Sequence, residues 1–540
     1  VAFHTIHGTE SDEMIFSEEN GLGHIMSRLG HHQKTIDLDT GAVLRKFEYD
    51  EDNTLISISD RFERQINIER DANGVPTAIV SPDGIRTDLV IGVDNHLTQI
   101  INADGSFYNF EYTSEGLMTA KIDPGGNRFD HIFDSQGRLT DSLDEEDGHW
   151  NYTRTVQGNG DILINVLTAE GNLTTYLDHT LSTGAYTSTI TSPAGGQTFF
   201  TESADGLTTN KSLACGMNLE FLYDLDTEYQ YKYVKQMSQT TLSGLTRTID
   251  FNKTYEDTNS DGIKDRIIQT FDLNNKSLTI VNNVFQSERL IISPEGRQAT
   301  AVYDPDTLAT ISNYVPGLEK TEYSFFISGR PDTIITGTRE TSFIYDENGF
   351  LSSITDPLNT TTTFTNDLMG RVTYIDRPDG SGIGYAYDEN GNMTVLTTQL
   401  SVDHLFGYNR VNSNSLYTTP LSGSYSYEYD KDRRLVKKNF PSGKAIILNY
   451  DNPMDTDDKS RLWQIQTPED NIDYTYSCSN KIESINKGSE SITLDYDAGL
   501  VTSLTLAGTL NQTLDYTYNN DFILSFFTYA GTTQDFTYDL

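Results

Sequence analysis

Cysteine is nearly absent: Cys215 and Cys478 are the only two in 540 residues, too few for a disulfide framework. The two thiols either pair or stay buried and free. Tryptophan is as scarce, at two residues. No apolar run reaches the roughly eighteen residues that a membrane-crossing helix needs, so this stretch of chain holds no such span. The largest deficit is positive charge: 38 Lys and Arg stand against 79 Asp and Glu, a net charge of −41. A nucleic-acid binder needs a basic footprint, and an anionic membrane would repel this chain. A solubilising acidic surface suits a secreted or cell-surface protein.

Catalytic signatures are missing too. There is no Gly-x-Ser-x-Gly elbow and no His-Glu-x-x-His pattern. Gly21-Leu22-Gly23 and Gly158-Asn159-Gly160 lack the third glycine of a dinucleotide loop, and Gly443-Lys444 runs into Ala445 where a phosphate loop needs Ser or Thr. Carboxylates are too numerous for any pair to stand out as an acid–base dyad. The expectation is a protein that is not an enzyme.

What the chain has in quantity is Tyr and Phe, 31 and 25 of them, side chains that suit a half-buried pleated surface. They recur with a strict period. Tyr345, Asn366, Tyr387, Tyr408, Tyr429 and Tyr450 are each 21 residues apart, and each is followed by Asp or Asn. A constant period of this length marks one supersecondary unit repeated along the chain. Such units bury little alone and stack on their neighbours.

The unit reads as a β-hairpin. Its first strand alternates, as in Tyr425-Ser426-Tyr427-Glu428-Tyr429 and Ile492-Thr493-Leu494-Asp495-Tyr496, with aromatics on one face and polar residues on the other. Asp-x-x-Gly follows, as in Asp346-Glu347-Asn348-Gly349. The Asp accepts backbone N–H bonds, and Gly supplies the positive φ. A second strand such as Val372-Thr373-Tyr374 leads to another turn, exemplified by Asp123-Pro124-Gly125-Gly126, Pro378-Asp379-Gly380 and Ser81-Pro82-Asp83-Gly84. Two strands of about seven residues and two turns fill the period.

The register extends upstream through Tyr49, Arg70, Val93, Tyr112 and Phe133, and downstream through Tyr476, Tyr496, Tyr518 and Tyr538. Four regions follow: an irregular lead-in over 1–45, repeats over 46–150, degenerate repeats with longer loops over 151–300, and regular repeats over 301–540. The sequence starts Val1-Ala2-Phe3 without a basic-then-apolar signal segment and stops within a repeat at Thr537-Tyr538-Asp539-Leu540. It therefore reads as part of a longer polypeptide. The expected fold is all-β, with tandem hairpins joined edge to edge in one antiparallel sheet that curls to protect its edges.

Tyr345 to Pro357, read as Tyr-Asp-Glu-Asn-Gly-Phe-Leu-Ser-Ser-Ile-Thr-Asp-Pro, resembles the signature of YD repeats, also called RHS repeats. Glu111 to Gly125 and Phe133 to Leu143 match in part. The resemblance implies a long sheet spiralling into a hollow shell. Bacterial RHS toxins, the cocoon of insecticidal toxin complexes and teneurin adhesion receptors share that architecture. In the toxin branch it implies an enclosed C-terminal toxin domain. The toxin branch also has a self-cleavage motif, Asp-Pro-x-Gly-Leu; Asp123-Pro124, Asp304-Pro305 and Asp356-Pro357 do not continue in that pattern, so no cleavage residues carry over. The expected partner is an enclosed polypeptide domain, or for an adhesive shell a cell-surface protein or glycan.

One loop has the spacing of a metal site. Asp257-Thr258-Asn259-Ser260-Asp261-Gly262-Ile263-Lys264-Asp265 places oxygen ligands at positions one, three, five and nine and a carbonyl at seven, a spacing suited to Ca²⁺. The expected ligands are Asp257, Asn259, Asp261, Ile263 through its carbonyl, and Asp265. Ile268 at position twelve lacks the bidentate carboxylate of an EF-hand, and a solvated acidic turn is the plain alternative. Five of the ten His fall in the first 32 residues, namely His4, His7, His24, His31 and His32; their scatter reads as loop histidines rather than a metal site.

Overall fold

The computed structural model describes residues 13–421, 423–454, 459–477 and 480–538. Within them every regular element is a β-strand, and the 48 strands, numbered in chain order, belong to one sheet. Each strand pairs antiparallel with its neighbours in sequence, from β1 (Glu13–Ser17) with β2 (Leu22–Ser27) to β47 (Leu524–Tyr529) with β48 (Thr532–Asp535). The sheet is not closed strand to strand, since β1 and β48 have one partner each among the described residues. The ribbon is thus a single meander.

The repeat unit explains the meander. In β30 (Arg339–Tyr345) and β31 (Leu351–Thr355), Phe343 pairs with Ile354 and Ile344 with Ser353, and the register slips by one residue at Tyr345. The slip is a β-bulge fed by the turn. Asp346 N–H donates to Phe350 O at 2.8 Å and Gly349 N–H to Asp346 O at 3.0 Å, with Gly349 at φ 79°. That is a turn closed by a left-handed residue at the bulge. The Asp346 carboxylate accepts the Asn348 and Phe350 N–H groups at 3.0 and 2.8 Å. The turn ending the unit repeats this geometry. Asp356 accepts from Leu358 and Thr360 at 2.8 and 3.0 Å, and Asn359 takes φ 59°. We call the first kind the tyrosine turn and the second the return turn. The strands of this unit have seven and five residues, with the bulge and turns filling the rest of the period.

The 151–300 stretch uses the same meander with longer strands, up to the 11 residues of β22 (Thr246–Glu256). The region expected as an irregular lead-in carries strands from Glu13 onward, including β3 (His32–Asp37) and β4 (Val43–Tyr49). Their alternation is hard to read because the buried residues do not keep period two: Thr35 and Ile36 are adjacent and both buried.

The wall is one layer thick. Its accessible surface is 30124 Å² for 60.5 kDa, against about 19,500 Å² for a compact globule of that mass. Most strand residues are half-buried, and among the described residues one buried apolar cluster joins Ile15, Ile25, Ile36 and Leu38 to Tyr231. One face carries the aromatics. Cross-strand rings run from Phe406 to Tyr417 at 5.2 Å, Tyr417 to Tyr425 at 5.7 Å and Tyr425 to Phe440 at 5.6 Å. The other face mixes long polar side chains with exposed apolar ones such as Ile132 and Leu416. Arg128 bridges Glu111 and Asp130, each at 2.8 Å, over a fully buried Ala120.

Candidate functional site: the seam between coils

At several positions the signature tyrosine ties its unit to the one before it. The Tyr387, Tyr408 and Tyr429 hydroxyls donate to the carbonyls of Val372, Met393 and Asn414 at 2.8, 2.9 and 2.8 Å, each 15 residues upstream. The period-two pattern indicated only burial for these rings; the hydroxyl adds a hydrogen bond to a neighbouring hairpin. Asn366 makes the same bond to Leu351 O through its amide at 2.9 Å. Arg70 reaches Leu55 O at 3.3 Å. The position therefore needs a donor of the right reach more than it needs a phenol.

The ribbon also meets itself. Return turns of an earlier coil receive tyrosine turns of a later one, at sequence separations of 245 to 289 residues. Asp83 takes both Arg330 guanidinium nitrogens, at 3.0 and 2.5 Å. Arg371 reaches Asp104 at 3.1 Å. Asn390 accepts Gly125 N–H at 2.7 Å and donates to Asp123 at 3.0 Å. Arg433 holds Asp144 at 2.6 Å, and its guanidinium lies 5.1 Å from the Trp150 ring. Asp432 accepts from Thr168 and Asn172 at 2.6 and 2.7 Å. Ser243 donates to Asp497 at 3.0 and 2.5 Å, and Asp521 takes Asn274 and Lys276 at 2.6 and 2.7 Å. These contacts run in sequence order along both turns of the spiral, so they form one continuous seam. Arg433 sits at φ 64° at the position where its sister turns carry Gly, a strained backbone at a residue that supplies a seam contact.

The seam carboxylates titrate accordingly. Burial alone would raise Asp104, Asp497 and Asp521. For Asp104 the hydrogen bonds of Ser106 and Arg371 win, for Asp497 those of Ser243 and Thr241, and for Asp521 those of Lys276 and Asn274; all three are held below the usual carboxylate range.

The first strands are locked in the same manner. Lys253, whose side chain is 4% exposed, lies 2.6 Å from Asp39 and 3.0 Å from the Tyr231 hydroxyl. Tyr255 donates to Asp226 at 2.8 Å. Burial pushes Asp39 upward against the pull of Lys253; burial would lower Lys253, but the attraction and hydrogen bond of Asp39 together with the Tyr231 hydroxyl raise it. Cys215, in the return turn Leu213–Met217, is disulfide-bonded. The chain's only other cysteine, Cys478, lies outside the described residues.

The loop expected to bind Ca²⁺ is the tyrosine turn between β22 and β23 (Arg266–Leu273). Asp257 accepts the Ser260 and Gly262 N–H groups at 2.6 and 2.8 Å. Asp261 accepts Ile263 N–H at 2.8 Å and the Asn259 amide at 3.0 Å. Asp265 serves Thr258 through its N–H and hydroxyl, at 2.9 and 2.6 Å. Asp257, Asn259 and Asp261 thus sit together, while Asp265 is engaged by Thr258. Among the described residues no three His, Cys, Asp or Glu side chains converge as a metal site. His24 and His32 stand in strands with ring nitrogens 3.3 Å apart, and His31 stacks on Tyr49. His4 and His7 lie outside the described residues.

A single-layer hairpin ribbon sewn to itself turn over turn is a shell-building protein. The family model of the Teneurin YD-shell matches residues 14–539, and the chain belongs to that family. Mouse Teneurin-3 is 38% identical over 68 residues, covering 13% of this chain and 2% of that protein. Among solved structures, the TcdB2-TccC3 crystal structure is similar with a TM-score of 0.44 and 12% identity, covering 96% of this chain and 35% of that one. The Photorhabdus luminescens Tc holotoxin pore carrying TccC3-D651A gives a TM-score of 0.33 and 9% identity, over 99% of this chain and 42% of that one. The chain therefore spans less than half the length of each of these relatives. No helix among the described residues is long and apolar enough to cross a membrane.

Proposed function

We propose that this chain is a non-catalytic wall of an extracellular or cell-surface shell whose lumen holds a polypeptide, a toxin or effector domain. The observation that carries this reading is the excess of surface, 30124 Å² against about 19,500 Å² for a filled globule. A wall wet on both faces has an inside. The repeat residues are spent on pairing, turns and seam, which leaves no constellation for chemistry. A disulfide at Cys215 suits an oxidising, extracellular setting. Limited proteolysis with mass spectrometry on the whole protein that carries this chain is the test. A protected fragment co-purifying with the shell is the expected result. An intact chain around an empty lumen would favour the second reading, a teneurin-like surface shell that binds a protein or glycan from outside, to which the match with the Teneurin YD-shell family lends support.

Ca²⁺ at Asp257, Asn259, Asp261, the Ile263 carbonyl and Asp265 belongs to the proposal as a structural ion. The support is the gathering of Asp257, Asn259 and Asp261 on one turn. A bound cation would take over oxygens that now accept N–H groups and would relieve the repulsion between neighbouring carboxylates.

A further inference from the structure

Among the described ion pairs, that of Lys253 with Asp39 has the most deeply buried cation: its side chain is 4% exposed, where the next, Arg434, keeps 17%. The Lys253 Nζ lies 2.6 Å from Asp39 Oδ1 and 3.0 Å from the Tyr231 hydroxyl. The Tyr231 and Tyr255 rings flank it at 5.6 and 5.0 Å. Leu38, the residue before Asp39, and Tyr231 both belong to the buried apolar cluster. Asp39 stands on the turn between β3 and β4, and Lys253 in β22, 214 residues further on. Removing two charges from water is costly, and their mutual attraction offsets this only in part. Burial holds the Asp39 carboxyl above the usual carboxylate range even beside a lysine, and Asp37 and Asp226 add repulsion. The site therefore favours a product without charge.

We propose that Lys253 and Asp39 join in an intramolecular isopeptide bond, made once by the folded chain itself, which pins the β3–β4 turn covalently to β22. The ion pair is the starting state. A proton passes from Nζ to Oδ1 across the 2.6 Å contact, leaving a free amine beside a carboxylic acid. The amine lone pair attacks Asp39 Cγ, with the Tyr231 hydroxyl, which accepts from Nζ, orienting it. The tetrahedral adduct then expels the acid's hydroxyl, which departs as water with a second Nζ proton. One C–N bond forms, one C–O bond breaks and one water leaves; no oxidant, reductant or cofactor takes part. Holding amine and acid in contact gives an effective concentration on the order of 10⁵ M or more. The neutral amide needs no solvation of charge, so the dry site draws the condensation forward. This is a single self-modification that turns over no substrate. The loop it closes spans 214 residues, so the first strands stay attached even when the hydrogen bonds around them open.

Mass spectrometry of the reduced, denatured full chain tests this. The wild type is expected to be lighter than its sequence by one water. Its tryptic digest should hold residues 35–45 joined to residues 248–264, with no cleavage after Lys253. Lys253→Arg keeps a cation beside Asp39 but removes the amine, and Asp39→Ala removes the acyl group. Both variants should show the full sequence mass and no joined peptide. The wild-type measurement stands without them, so poor folding of either variant leaves the test intact. A wild type still at the full sequence mass after prolonged incubation at neutral pH would mean an ion pair only and would overturn the proposal. A loss of water that persists in both variants would overturn it as well, by placing the condensation elsewhere in the chain.

Discussion

Tyr408 condenses the repeat into one side chain: it is half-buried in the sheet and its hydroxyl holds Met393 O at 2.9 Å. Tyr408→Phe should cost about 1 kcal/mol, the net value of a hydrogen bond whose acceptor is left partly buried. Tyr408→Ala should cost several times more as packing goes too. Chemical denaturation of both variants checks the ratio; equal losses would mean the hydroxyl contributes nothing. Gly391, at φ 86° in the turn after Tyr387, should lose about 1 kcal/mol or more on Gly391→Ala, because the left-handed region penalises a Cβ. The ring, the Asp and the Gly were all legible in the sequence as strand, cap and turn closure. The hydroxyl's partner was not, because a bond 15 residues upstream into another hairpin leaves no local trace, and Asn366 shows that a different side chain can make it.

Hairpins were legible wherever Asp-x-x-Gly follows an alternating strand, and less so over the first 45 residues, where the adjacent buried Thr35 and Ile36 break the alternation. Those strands depend on a distant anchor. Asp39→Ala would leave Lys253 buried without its partner, and the expected loss is about 3–5 kcal/mol, with protease cleavage appearing first before residue 45. Unchanged stability would mean the Lys253 ammonium finds other support. The Asp257–Asp265 turn supplies a second test: a melt with Ca²⁺ should exceed one with chelator, and Asp261→Ala should remove the difference. Equal melting temperatures in both conditions would leave a plain acidic turn.

The seam could not be read from any one segment, because each contact joins tips separated by 245 to 289 residues. What the sequence did hold was its chemistry, acids at early return-turn tips facing Arg or Asn of later tyrosine turns, and later acids such as Asp432, Asp497 and Asp521 facing early Thr, Ser, Asn or Lys, without the offset that brings them together. Since Asp104, Asp497 and Asp521 are held below the usual carboxylate range, their contribution is fully present above the unfolded pKa of about 4. It is lost as pH falls through the lower folded values. The coils should therefore come apart below about pH 4 while hairpin signals persist, as followed by scattering and circular dichroism. Zero-length carbodiimide cross-linking read by mass spectrometry tests the winding itself. The account predicts links between Lys276 and Asp521, 2.7 Å apart, and between Lys431 and Asp147, 3.8 Å apart. A map holding only links within or between adjacent hairpins, such as Lys437 to Glu428, would contradict a ribbon sewn to itself.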